Sequence, residues 1–267
     1  MKPKETVASL SQQGVMFSTD LPADSVSQLL TLEGQHAEDE DHRVFRECLG
    51  DVGSGFAGLD FEIDGLERLR QPRPAIYIFN HQSLLDAMVL AHLLREDVVA
   101  LCKTEMANNP LLGPLLRQVD TIFVDREARD QSEVLHRALE VLDSGRSLVV
   151  APEGTRTVSP RLAPFKKGAF HLAMQAGVPI VPIVIRNAGD VAPKGDFVFR
   201  AATVEVQVLP PVDTGGWRVE TIEEHVREVR NMFARTLGQP EETAPGAAPR
   251  AKSAGPKAKA KSKKGAK

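Results

Sequence analysis

Long apolar runs are missing from this chain, and cysteine is nearly so. Nowhere in the 267 residues is there a run of about 18 apolar positions, which excludes an ordinary membrane-spanning helix. The first residues alternate charged and polar groups, so no secretory signal is read there. The two cysteines, Cys48 and Cys102, are far apart and form no CxxC, which argues against a zinc ribbon and agrees with a reducing compartment. The expected address is the cytoplasm. No internal repeat is visible. What is present, 42% hydrophobic and 26% charged residues, fits a globular protein with one principal domain. A chain of this length buries about 70 to 75% of its unfolded surface, enough for a core without disulfide or metal staples.

Acidic residues stop at Glu242. Beyond it stand eight basic residues: Arg250, Lys252, Lys257, Lys259, Lys261, Lys263, Lys264 and Lys267. Taking those eight from the 33 basic residues of the chain leaves 25 against 36 acidic ones, a net charge of −11 over residues 1–249. Residues 240–267 therefore read as a separate, disordered basic tail, because Ala, Gly, Pro, Ser and Lys offer no apolar surface to offset chain entropy. Its natural partners are polyanions, an anionic membrane surface or nucleic acid, and the plain alternative is a solubilising tail. Residues 1–50 lack sustained periodicity and include the acidic run Glu38 to Asp41. They read as a partly ordered extension with one short helix near Leu29. The principal domain is expected over 51–239.

Within that domain strands and helices take turns. Phe61 to Ile63 alternates like a strand, Ala75 to Phe79 is a short apolar run, and Ser83 to Leu94 has helical spacing. Val98 to Cys102 and Thr121 to Val124 are strand-like, separated by a short helix expected within Asn109 to Val119. Gln131 to Leu142 has a helical apolar face ending near Gly145. Ser147 to Ala151 is another apolar run, Gly168 to Gln175 a helix up to Gly177, and Ile180 to Ile185 a buried strand. Thr203 to Val208 and Ile222 to Leu237 complete the series as strand and helix. This order predicts an α/β fold, a largely parallel central sheet covered by helices on both faces.

Two polar clusters sit where apolar strands end, the place where open α/β sheets bind ligands. The first is Asn80, His81, Gln82, Ser83, Leu84, Leu85 and Asp86. On one regular helix His81 and Asp86 would lie roughly 140° apart, so their side chains meet only if the chain bends between them. A helix starting near Ser83 supplies the bend. Ser83 and Asp86 also match a capping-box spacing, which is a structural use of the same carboxylate. The second cluster is Pro152, Glu153, Gly154, Thr155 and Arg156. Glycine there permits close backbone approach, and arginine offers a planar fork suited to phosphate. Lys103 and Arg126 end the two other strands with cations. Each of these cations is singly a surface charge; together they point to one anion-binding crevice.

NHQSLLD resembles the His-four-residues-Asp block of the glycerolipid acyltransferases, the family of 1-acylglycerol-3-phosphate acyltransferases. TIFVDR is similar to that family's second block, PEGTR to its third and VPIVP, from Val178 to Pro182, to its fourth. Lys103, Glu105, Pro110 and Gly113 are similar to the run before the second block. Four blocks in order over roughly Phe61 to Val212 make the resemblance specific. Asp120 stands where the family usually has glycine, and Ala151 where it commonly has an aromatic residue.

The resemblance implies transfer of a fatty acyl group from acyl-CoA or acyl carrier protein to a glycerolipid hydroxyl, with 1-acylglycerol-3-phosphate as acceptor and phosphatidic acid as product. It implies His81 as general base and Asp86 as the carboxylate that orients it. Arg126 and Arg156, with Lys103, would hold the acceptor phosphate, Gly154 and Thr155 would help form that site, and Glu153 would accept a hydrogen bond from the glycerol part. Lys166 and Lys167 are read as exposed charges. No bound cofactor or metal is expected, the thioester being a co-substrate. The expected location is peripheral, at the inner face of the membrane, with the basic tail on anionic headgroups and the leucines at 111, 112, 115 and 116 near the entrance or in the core. The competing readings are acylation of another lysophospholipid or lipid hydroxyl, and a non-catalytic membrane- or polyanion-binding protein. A hydrolase using Ser83 lacks the G-x-S-x-G elbow, and Cys102 reads as a thiol buried in a strand.

Overall fold

The computed structural model describes residues 58–70, 73–83, 85–108, 113, 116, 120–125, 130–156, 159, 161–191 and 202–243. The extension, residues 244–267 of the basic tail, Arg126 and most of the helix expected within 109–119 lie outside them; the first four tail residues are described, and Glu242 is bonded to Asn231. The strands are β1 (Leu59–Asp64), β2 (Ile76–Phe79), β3 (Val98–Lys103), β4 (Thr121–Val124), β5 (Ser147–Val150), β6 (Ile180–Ile185) and β7 (Ala202–Val208). The helices are α1 (Leu85–Leu93), α2 (Thr104–Ala107), α3 (Ser132–Asp143), α4 (Gly168–Ala176), α5 (Ala188–Val191) and α6 (Ile222–Thr236), with two short 3-10 turns.

The seven strands form one sheet in the order β1-β7-β6-β2-β5-β3-β4. From β6 to β4 every neighbouring pair is parallel, as the alternation predicts. At β7 the direction reverses: β7 is antiparallel to β6, and β1 pairs parallel with β7. Side-chain alternation splits the core in two. Tyr77 and Phe79 of β2 and Val181, Ile183 and Ile185 of β6 pack with α1 and α5 on one face. Ile76, Ile78, Ile180 and Val184 pack with α3, α4 and α6 on the other. The inner strands are buried on both faces, which is why they read as continuous apolar runs.

Pro182 lies inside β6, a place where a missing N–H usually breaks the ladder. Its carbonyl accepts Leu209 N–H at 2.8 Å, just past the end of β7. N–H and C=O of one strand residue point to the same side, so the missing donor faces β7 and costs no bond to β2. α4 stops where the sequence says it stops: Gly177 adopts a left-handed φ of 65° and donates to Ala173 O.

The connection leaving β2 travels toward β3, whereas the one leaving β5 travels back past β2 to β6. They cross on opposite faces, as a common right hand requires. Adjacent strand ends whose connections diverge leave a crevice between them. Here it opens between the ends of β2 and β5.

Candidate active site

β2 hands the chain to a turn, Asn80 to Ser83, before α1 begins at Leu85. Asn80, wholly buried, donates Nδ2 to Ile185 O at 2.7 Å and accepts Ile185 N–H at Oδ1 at 2.8 Å. Its amide thereby extends the β2–β6 ladder by one rung and fixes where the turn starts. Ser83 Oγ accepts Leu85 N–H at 3.2 Å rather than the N–H of Asp86, while Asp86 Oδ2 accepts Ser83 N–H at 2.9 Å, the carboxylate half of the capping box read from the sequence.

The same oxygen does more than cap. Asp86 Oδ2 also accepts Gln82 N–H at 2.8 Å and stands 2.7 Å from His81 Nδ1. The bend expected between the two side chains is therefore there, with His81 in the turn and Asp86 in the first turn of α1. Asp86 is fully buried and the imidazole is 27% exposed. A carboxylate receiving Nδ1–H places the proton on that nitrogen and leaves the lone pair on Nε2. The ring also stands edge-on to Phe79, with centroids 5.5 Å apart.

β5 ends in a tight turn in which Gly154 N–H donates to Ala151 O at 3.0 Å. Gly154 has φ 79°, a left-handed value that requires glycine for conformational reasons beyond close approach. Glu153, 4% exposed, points back to the first cluster: Oε1 accepts His81 N–H at 2.8 Å and Oε2 accepts Ala163 N–H at 2.9 Å. Burial pushes this carboxyl above the ordinary glutamic value; the two amides and His81 offset that in part, and the Asp86 charge adds to it.

His81, Asp86 and Glu153 are thus brought into direct contact across the β2–β5 crevice. Thr155 is exposed and Arg156 half-buried on the loop after Gly154. Lys103 ends β3, beside β5 in the sheet, and its ammonium pairs with Glu105. Lys167 pairs with Glu223, in line with its reading as a surface charge. Asp120 forms an ion pair with Arg146 at 2.5 Å. Cys102 is half-buried, more open than the strand pattern implies. Among the described residues, no helix is long and apolar enough to cross a membrane.

Asn80 belongs to the first cluster, but its task, bonding the Ile185 main chain, is not revealed by the sequence. Arg230 escapes the motif reading altogether. Arg230 sits on the buried stripe of α6, among Ile222, Val226, Val229, Phe233 and Ala234. A charge on an apolar stripe was the available signal.

The family model described as Acyltransferase matches residues 60–186. The chain is 36% identical over 198 residues to a 1-acyl-sn-glycerol-3-phosphate acyltransferase of Limnanthes alba, covering 73% of this chain and 69% of that protein. It is 33% identical over 193 residues to the human 1-acyl-sn-glycerol-3-phosphate acyltransferase beta, covering 70% and 69%. The crystal structure of the 1-acyl-sn-glycerophosphate acyltransferase from Thermotoga maritima shares the fold, with a TM-score of 0.63 at 23% identity over 80% of this chain and 86% of that one. The chain belongs to the acyltransferase family that includes the 1-acyl-sn-glycerol-3-phosphate acyltransferases.

Proposed function

We propose that the enzyme moves a fatty acyl group from acyl-CoA or acyl carrier protein to the free hydroxyl of 1-acylglycerol-3-phosphate, giving phosphatidic acid. The observation that carries this reading is the 2.7 Å contact between His81 Nδ1 and a carboxylate of Asp86 that is wholly buried. An alcohol is a weak nucleophile at neutral pH, and an imidazole with a reference pKa of about 6.5 is a suitable base for it. His81 Nε2 takes the hydroxyl proton as the alcohol oxygen bonds to the thioester carbonyl carbon. Asp86 stabilises the imidazolium. The tetrahedral oxyanion then collapses, the C–S bond breaks, and the departing thiolate recovers the proton from His81. An ester and a free thiol result, with no acyl-enzyme, and Ser83 remains a cap.

Arg126 and Arg156, with Lys103, are assigned to the acceptor phosphate, and Gly154 and Thr155 to the turn that carries Arg156. Support for this comes from their family positions at neighbouring strand ends and from the acceptor in the relatives' names. Positioning of the two substrates supplies much of the rate. The tail is assigned to anionic headgroups at the inner face of the membrane, at about 1 kcal/mol per basic residue near the surface.

Purified full-length protein incubated with acyl-CoA or acyl carrier protein thioester and lysophosphatidic acid, with products identified by mass, tests the reading. Phosphatidic acid is expected. Acylation of a different lysophospholipid alone moves the acceptor assignment; hydrolysis without transfer removes it.

A further inference from the structure

Each oxygen of the buried Glu153 carboxylate accepts one main-chain N–H, from His81 and from Ala163. The loop on the far side of that link is caught from behind. Arg230, 9% exposed, donates Nη2 to Leu162 O at 2.8 Å and Nε to Ala163 O at 3.2 Å. Gln239 Oε1 accepts Leu162 N–H at 2.8 Å. Both N–H groups and both carbonyls of Leu162 and Ala163 are therefore held by side chains from three separate parts of the chain. Glu242 closes the arrangement: its carboxylate lies 3.0 Å from Arg230 Nε, and its main chain exchanges two hydrogen bonds with the Asn231 side chain. In every link but the Arg230–Glu242 ion pair, a side chain meets main chain. Such bonds fix where a backbone lies.

We propose that Glu153 is a positioning residue for His81, and that Arg230 keeps it in register through Leu162 and Ala163. The proposal rests on the acyl-transfer reading of His81. Asp86 sets the plane of the imidazole; Glu153 sets the backbone from which the imidazole projects. A carboxylate with both oxygens committed at 4% exposure is poorly placed to receive a glycerol hydroxyl. Released from Glu153, the turn keeps its His–Asp bond but loses a fixed distance to the crevice, and a misplacement of about 1 Å costs roughly 10²-fold in rate.

Glu153→Gln and Arg230→Lys in the full chain test this. Glutamine has one carbonyl oxygen, so one of the two amides is left facing an NH2 group. The expected result for Glu153→Gln is a fall in kcat of about 10- to 100-fold with acceptor KM within about twofold of wild type. Arg230→Lys gives a smaller fall with the same split, and the double variant is less than additive because both act on one loop. A raised acceptor KM with kcat retained makes Glu153 an acceptor ligand and overturns the proposal, as does unchanged kcat in both variants. A second readout needs no turnover: the His81 Nδ1 proton resonance in 15N-histidine-labelled protein, assigned by its loss in His81→Ala. It shifts or broadens in Glu153→Gln; an unmoved resonance overturns the proposal. If wild type transfers no acyl group, the acyl-transfer reading falls while the resonance still decides positioning. If Glu153→Gln does not fold, Arg230→Lys decides by the same two measurements.

Discussion

Asp86, in the first turn of α1, and Glu153, just past the end of β5, are two buried carboxylates, yet they serve different parts of the same histidine. One oxygen of Asp86 gathers the imidazole and two amides. Glu153 spreads its two oxygens over two amides from distant segments. Asp86 thus bears on the ring that changes charge, and Glu153 on the main chain beneath it. The difference teaches that burial of an acid beside a reacting group does not by itself assign it to chemistry; the atoms it faces do.

The contrast breaks most sharply at Asp86. Asp86→Asn keeps a carbonyl oxygen for the amides but removes the charge that stabilises imidazolium, so kcat in the acyl-transfer assay should fall roughly 10²- to 10⁴-fold. His81→Ala should reach the same floor, and near-normal turnover in either variant would remove the base assignment. Arg126→Ala sharpens the comparison from the substrate's side: acceptor KM should rise about tenfold with kcat little changed, the mirror image of Glu153→Gln. An unchanged KM takes Arg126 out of the phosphate site. The smallest effect is on stability. Because burial raises the Glu153 carboxyl, its contribution is fullest below the ordinary glutamic value of 4.5 and is lost as pH rises through the raised value. Thermal unfolding across that window should show wild type losing ground to Glu153→Gln as pH increases; a constant difference contradicts the burial argument.

Much of the fold was legible in the sequence because buried strands must be apolar. Ile180 to Ile185 matches β6 residue for residue, and Gly177 marks the end of α4. The reversal at β7 was not legible. Alternation in Thr203 to Val208 says that one side is wet, not which neighbour runs beside it or in which direction. Four-residue helices such as α2 and α5 are too short to show a period. In the site, His81 and Asp86 were readable because a known spacing plus one bend makes them meet. The task of Glu153 was not, since residue type gives no sign of which main-chain groups lie 10 and 72 positions away.

The reversal at β7 has a practical consequence. Because β7 and β1 run opposite to the other five strands, both begin at the rim where those strands end, and Gly58 O receives Ala202 N–H there. Three strand spacings, about 14 Å, separate β1 from β2 laterally. Gly58 and Ala202 therefore mark the same rim of the sheet as His81 and Glu153, so a probe attached at either position reports on that rim without touching the catalytic pair.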